Sequence, residues 1–351
     1  VDFPKVAAFL DEIGQPSYRA RQVYEGATRG FAQSYDELTP LPVELRRRLS
    51  AAIPLRELTT DEVQHSTDGT IKVRLTTSDG FPVEAVAMRH RDRSTVCVSS
   101  QSGCPLKCTF CATGSMGLGR NLTSGEIVEQ VLVLAAMLRE QQRRVTNVVM
   151  MGMGEPFLNY DEVLAACHML NDHGGFGLGA RQMAISTAGW IPGIERLASE
   201  PMQIRLALSL HAPNDELRAE LMPVNRRFPL RKLMAACRAY REATGRRIFI
   251  EYLLLDGVND SDAHATELAA LLAGGGYHVN LISYNPTQAG YSGSGQGRVS
   301  GFAATLGKLG VSATYRSSHG RDIDAACGQL AVGDVRGLRR RNRAAATASR
   351  G

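Results

Sequence analysis

Three cysteines at positions 104, 108 and 111, in the stretch GCPLKCTFCATG, have the residue type and the spacing to bind metal. Thiolates are soft ligands that suit iron–sulfur clusters and zinc. Structural zinc sites pair two such knuckles, and no second pair follows at a matching spacing. Four-iron clusters are ordinarily held by four thiolates, so three would leave one iron open to a ligand that is not protein. Four more cysteines lie outside this loop: Cys97, Cys167, Cys237 and Cys327. An odd total of seven in a long chain argues against a disulfide framework and for metal or redox chemistry. Cys167 and Cys237 fall on helical patterns, DEVLAACHML and LRKLMAACRAY, where a buried and inert thiol is expected. Cys97 and Cys327 have no ligand spacing to a neighbour, and their plainest reading is again a buried thiol.

The cysteine loop needs elements to hold it. From about residue 95 to 330 strand patterns (TVCVSS, NVVMMG, QMAISTAG, IRLALSLH, IFIEYLLL, HVNLISYN) alternate with helical ones. The helix SGEIVEQVLVLAAML is announced by a capping box, Thr123 with Glu126. Strands apolar on both sides, alternating with amphipathic helices, make a parallel sheet with covered faces. Six βα repeats predict an α/β fold, a partial (β/α)6 barrel, whose site lies where the strands end. The short polar motifs fall there: SSQSGC, MGMGEP, STAG, SLH and YNP.

Ahead of this barrel, residues 1–55 predict a small helical domain and residues 56–94 a strand-rich connector with turns at Asp68–Gly69 and Asp79–Gly80. Net charge is +5. Residues 331–351 carry six Arg and one Asp, which accounts for all of it and predicts a disordered basic tail. Such a tail, and the clusters Arg46–Arg48, Arg89–Arg93, Arg226–Arg227 and Arg246–Arg247, could attract a polyanion or face solvent. The longest apolar run, Val131–Leu138, is far short of the ~20 residues that span a bilayer. The acidic start VDFPKVAAFLDEIG lacks the basic end of a signal peptide, so a cytoplasmic protein is expected.

CxxxCxxC after a strand, with MGMGEP and ISTAG downstream, resembles the radical S-adenosylmethionine (SAM) superfamily. The runs CVSSQSGCPLKCTFCATG, GRNLTSGEI, MGMGEPFLNYD, SLHAPND, HVNLISYNPT and GRDIDAACGQL narrow the resemblance to the RNA adenine methyltransferases that act at C2 of adenine in 23S rRNA and tRNA, and their C8-methylating relatives. That resemblance implies one [4Fe-4S] cluster on Cys104, Cys108 and Cys111, with SAM on the open iron. It implies SAM contacts at Gly154, Glu155, Ser186, Ser209, Leu210, His211 and Asn285. It further implies two SAM per turnover, one methylating Cys327 and one cleaved to a radical; a covalent RNA adduct at Cys327; and resolution by Cys97 through a transient disulfide. Glu84, in PVEAVAMRHRDRSTVC, matches the family's acidic residue near the target base. An RNA-binding role for residues 1–55, an electron donor such as flavodoxin or ferredoxin, and a monomer come from the same likeness.

Without the resemblance these residues have plainer roles: Ser186 a helix N-cap, His211 a satisfied polar side chain, Asn285 a turn residue before Pro286, Glu84 a strand-surface carboxylate. Near the carrier the chain reads Arg316-Ser317-Ser318-His319-Gly320, closer to the C8 relatives, whereas GEPFLNYD follows the C2 pattern. C2 methylation is the expectation. C8 methylation of rRNA (the antibiotic-resistance reaction) and a radical SAM methylase of small molecules or peptides are the alternatives, and a non-enzymatic RNA-binding protein with a structural metal is the third.

Overall fold

The computed structural model describes residues 2–287, 289–316 and 318–331. Of the expected basic tail only Ala331 is described; residues 332–351 and Ser317 lie outside the described residues. The first helices are α1 (Phe3–Glu12), α2 (Tyr18–Thr28) and α3 (Val43–Ala52). Their apolar faces, with Tyr35, Leu38 and Leu41, close into a core of their own around Val23 and Leu49. This unit is tied to the main body by polar contacts: the Tyr24 hydroxyl donates to Met169 O (3.0 Å) and Arg29 Nε to Gly175 O (2.8 Å). At the junction the buried Glu129 carboxylate accepts from the N–H groups of Glu57 and Leu58.

The strand-rich stretch is an antiparallel meander of β1 (Leu58–His65), β2 (Ile71–Thr77) and β3 (Pro82–Arg89), followed by β4 (Ser94–Cys97). It is continuous with the main sheet, because β3 pairs antiparallel with β4, the first strand of the parallel run. Side chains alternate faces along a strand. Val73, Leu75, Val83, Ala85 and Ala87 enter the main core. Val86 faces the other way, beside Cys97, Met153, Ala325 and Leu330.

A two-stranded ribbon, β5 (Gln101–Gly103) with β6 (Leu118–Asn121), brackets the cysteine loop and the short helix α4 (Ala112–Met116). Then come α5 (Ser124–Glu140), β7 (Asn147–Met150), α6 (Tyr160–Asn171), β8 (Met183–Thr187), α7 (Ile191–Ala198), β9 (Arg205–Ser209), α8 (Asp215–Leu221), α9 (Leu230–Thr244), β10 (Ile248–Leu254), α10 (Asp262–Leu271), β11 (Tyr277–Ser283), α11 (Gln296–Lys308) and β12 (Ala313–Arg316). The capping box of α5 is formed: Thr123 Oγ1 accepts from Glu126 N–H (3.1 Å), and the Glu126 carboxylate accepts from Thr123 N–H (2.9 Å).

The strands make one open ten-stranded sheet, ordered β1-β2-β3-β4-β7-β8-β9-β10-β11-β12. From β4 onward neighbours are parallel. The six expected strands are all present, and β12 is a further parallel edge strand. It escaped the sequence pattern because three of its four residues are exposed, so it carries no apolar run. The ribbon β5–β6 escaped it because strands of three and four residues containing Gly103 and Gly119 show no alternation.

Candidate active site

The cysteine loop is shaped by its backbone. Gly103 has φ +77, and a Cβ there would sit 1.9 Å from Gly117 O, so only glycine fits the close approach of β5 to the turn before β6. Cys104 N–H donates to Gly117 O (3.0 Å), Thr109 N–H to Leu221 O (3.0 Å) and Ala112 N–H to Gly328 O (2.9 Å). Phe110 anchors the loop among Leu221, Met222 and Val224. Burial pushes the Cys104 thiol up to about 12 and those of Cys108 and Cys111 upward as well. A metal bound there must displace the three protons. Among the described residues no three His, Cys, Asp or Glu side chains are drawn in around one point.

The MGMGEP segment follows β7. Gly154 has φ +101, and a Cβ would strike Gln101 Cβ at 2.7 Å, so the glycine makes room for the chain leaving β4. Glu155 is buried and its carboxylate is spent on backbone: it accepts from Ala188 N–H (2.7 Å) and Phe157 N–H (3.1 Å). Burial raises it to about 7 against those bonds. Glu155 thereby fastens the loop after β7 to the loop after β8. Ser186 lies inside β8 and is no helix cap; its hydroxyl is 3.4 Å from that of Ser209 on β9.

Leu210 is wholly buried, its N–H on Glu251 O (3.0 Å). His211 has φ +57, the left-handed region that side chains seldom adopt. Its Nδ1 accepts from Leu253 N–H (3.0 Å), which puts the imidazole proton on Nε2. Burial, then the neighbouring Arg218, lowers it to about 3, so the ring is neutral. The ring meets Phe110 edge-on at 4.9 Å, linking the end of β9 to the cysteine loop. Asn285 Nδ2 reaches Ser283 O and Cys327 O (3.4 Å each), while its buried Oδ1 has no partner.

Sequence reasoning missed Arg218. It is 0% exposed, and its guanidinium donates to Leu210 O (3.1 Å), Ala188 O (2.7 Å), Ser209 O (3.2 Å) and Asn225 Oδ1 (2.8 Å). It joins the ends of β8 and β9, and burial lowers it to about 10, which leaves it charged. The one available signal was an arginine amid the apolar positions of DELRAEL, and solvated arginines occur there as readily.

Cys97, at the end of β4, packs with Met153, Ala325 and Leu330. Cys327 is exposed, on the segment that follows β12. Surrounding protein pushes each thiol up to about 12, and Cys97 and Cys111 add to the effect at Cys327. Cys327 is thus within electrostatic reach of Cys97 and Cys111, which lie far earlier in the chain. Glu84 is no surface carboxylate: it is buried on β3, paired with Lys72 Nζ (3.3 Å), and accepts from Ala331 N–H (3.0 Å). Burial raises it, with Lys72 opposing. Cys167 and Cys237 are buried thiols in the core, as expected.

Residues 98–269 match the family model of the radical SAM superfamily. The chain is 47% identical over 340 residues to the probable dual-specificity RNA methyltransferase RlmN of Chloroflexus aurantiacus, covering 93% of this chain and 90% of that one. The chain belongs to the RlmN family. It is also 46% identical to the dual-specificity RNA methyltransferase RlmN of Halorhodospira halophila, covering 97% of this chain and 94% of that one. A crystal structure of a radical SAM methyltransferase from Sphaerobacter thermophilus superposes with a TM-score of 0.92 at 50% identity, over 94% of this chain and 97% of that one. As an RlmN-family member the protein is a SAM-dependent RNA methyltransferase with a radical SAM fold. The superfamily's cofactors are an iron–sulfur cluster and SAM. The residues present fit both: three thiols on one loop for the cluster, and for a polar ligand the buried, unpartnered Asn285 Oδ1, on the residue whose Nδ2 reaches Cys327 O, and Ser100 Oγ, on the residue whose N–H donates to Met153 O. No helix of the described residues is long and apolar enough to cross a membrane.

Proposed function

We propose that the protein methylates C2 of adenine in 23S rRNA and in tRNA, with Cys327 as carrier of the methyl carbon and Cys97 as the thiol that releases it. The observation that carries this reading is that Cys327 lies within electrostatic reach of Cys97 and Cys111, on a segment whose Ala325 and Leu330 pack with Cys97. Adenine C2 is electron-poor and does not attack SAM itself, so the carbon must reach it as a radical.

Cys104, Cys108 and Cys111 hold a [4Fe-4S] cluster, and Gly154, Glu155, Ser186, Ser209, Leu210, His211 and Asn285 line the SAM that completes it. Bound there and reduced by a donor such as flavodoxin or ferredoxin, the two would supply the one-electron chemistry that removes a hydrogen atom from the S-methyl group carried by Cys327. Cys327 first loses its thiol proton and takes a methyl group from another SAM, so two are used per turnover. The Cys327 methylene carbon then bonds to C2 of the base, which releases its C2 hydrogen as a proton together with one electron that the oxidised cluster would take back, giving a thioether between protein and RNA. Cys97, having given up its proton, attacks the Cys327 sulfur; the sulfur–carbon bond breaks with its electron pair on the carbon, which takes up a proton, so a disulfide forms and the methylated base is freed. Glu84 serves near the target base, and the helical unit of residues 1–55 binds RNA. The enzyme works as a monomer in the cytoplasm.

The test is the product. RNA treated with anaerobically reconstituted protein, SAM and reductant, then digested to nucleosides, should contain 2-methyladenosine by mass spectrometry and chromatography. 8-Methyladenosine would move the reaction to the C8 relatives, and unmodified rRNA and tRNA would remove the proposal.

A further inference from the structure

Among the described residues the segment bearing Cys327 holds only one short 3-10 turn, Arg321–Ile323, and joins no sheet, yet it is fastened at both ends to the β1–β3 meander. At its start the fastening is reciprocal. Asp322, on the segment, accepts from Ser66 Oγ (2.5 Å) and Thr67 N–H (3.1 Å) on the β1–β2 turn. Asp68, on that turn, accepts from Gly320 N–H (3.0 Å) on the segment and lies 3.2 Å from His319 Nδ1. Two residues beyond Asp322, Lys72 reaches Asp324 O at 3.5 Å, and at the segment's end Ala331 N–H is held by Glu84. Between these ties the Gly328 and Leu330 carbonyls accept from Ala112 N–H and Thr113 Oγ1 at the start of α4 (2.9 and 2.6 Å).

We propose that Asp68 and Asp322 are positioning residues for Cys327, a two-way clasp that fixes where the carrier segment leaves the β1–β2 turn and hence how close Cys327 comes to Cys97. The proposal rests on the reading of Cys97 and Cys327 as a working pair. Neither aspartate touches a cysteine. Each holds the backbone of the opposite partner, so losing either one releases the same end of the segment. Asp68 and Asp322 are exposed, and exposed polar contacts add little to global stability. Their removal should therefore displace the segment without unfolding the molecule. A carrier that must meet a methyl donor, a base and a resolving thiol in turn needs a fixed origin for its short reach.

The experiment reads pairing rather than turnover. Holoenzyme treated briefly with diamide, which takes one hydrogen from each of two thiols and leaves them joined, is mapped for a Cys97–Cys327 disulfide by mass spectrometry. Asp322→Ala and Asp68→Ala should each keep the wild-type melting temperature and form the bond at least about tenfold more slowly, the scale on which misplaced reacting groups lose rate. Asp322→Asn, which retains an oxygen to accept from Ser66 and Thr67, should restore most of the rate. Alanine variants that pair at the wild-type rate would overturn the clasp. Variants that fail to fold in both positions would also overturn it, by making the pair a support of the whole molecule. No disulfide in the wild type would instead remove the Cys97–Cys327 pairing itself.

Discussion

At the level of single residues, the surrounding protein keeps Cys97 and Cys327 neutral thiols, each with its pKa pushed up to about 12. A neutral thiol is a weak nucleophile, so each must lose its proton at the moment it reacts. That suits two cysteines which must stay reduced between turnovers. Under the proposed mechanism, removing Cys97 while keeping Cys327 should stop the cycle after the base is joined. Cys97→Ala is accordingly expected to accumulate a covalent RNA–protein adduct, seen as a slow-migrating band that RNase removes. If that variant releases methylated RNA as fast as wild type, Cys97 has no resolving role.

At the level of elements, the site is assembled from the ends of parallel strands and the loops that follow them, which need side chains to hold them together. Glu155 ties the loop after β7 to the loop after β8, and Arg218 ties the ends of β8 and β9. Both bond backbone groups that would otherwise lose a partner away from water, and Arg218 also bonds Asn225 Oδ1. Arg218→Met keeps the bulk and deletes the donors, leaving the Leu210, Ala188 and Ser209 carbonyls without this partner. The variant should lose at least about 3 kcal/mol, the scale for several buried acceptors left unsatisfied. Denaturant unfolding measures that loss, and weaker SAM binding should accompany it because Ser209, Leu210 and His211 are no longer held. An unchanged unfolding midpoint would mean that water replaces the guanidinium.

At the level of the whole molecule, the buried neutral His211 gives stability a dependence on pH. Its folded pKa is about 3, while an unfolded histidine titrates near 6.5. Between those values the unfolded chain binds the extra proton, so stability falls as pH drops through 6.5 toward 3 and is fully present above 6.5. From pH 7 to pH 4 the loss from this group should be about 3 kcal/mol. His211→Asn keeps an acceptor for Leu253 N–H and cannot titrate, so its stability should fall less over that range by about that amount. Glu155, raised to about 7, works in the opposite sense and is common to both proteins, so the difference isolates the histidine. Parallel stability profiles for the two proteins would show that His211 is protonated in the fold.

The sequence alone determined the features that local chemistry and period dictate. The three-cysteine loop, the six apolar strands, the capping box at Thr123 and Glu126, the hairpin turns at Asp68–Gly69 and Asp79–Gly80, and the fate of Cys167 and Cys237 were all legible, because residue type and spacing are properties of a chain. The tertiary structure decided what depends on surroundings. It turned Glu84 from a surface carboxylate into a buried partner of Lys72 and Ala331, made Glu155 a brace between loops, and revealed Arg218 as the tie between two strands. It also showed that the strand-rich connector is the wall on which the Cys327 segment is fastened. These facts rest on hydrogen bonds between groups up to 256 positions apart in sequence. A linear pattern carries no record of such pairs, since what sets a polar side chain's role is the partner that burial leaves it.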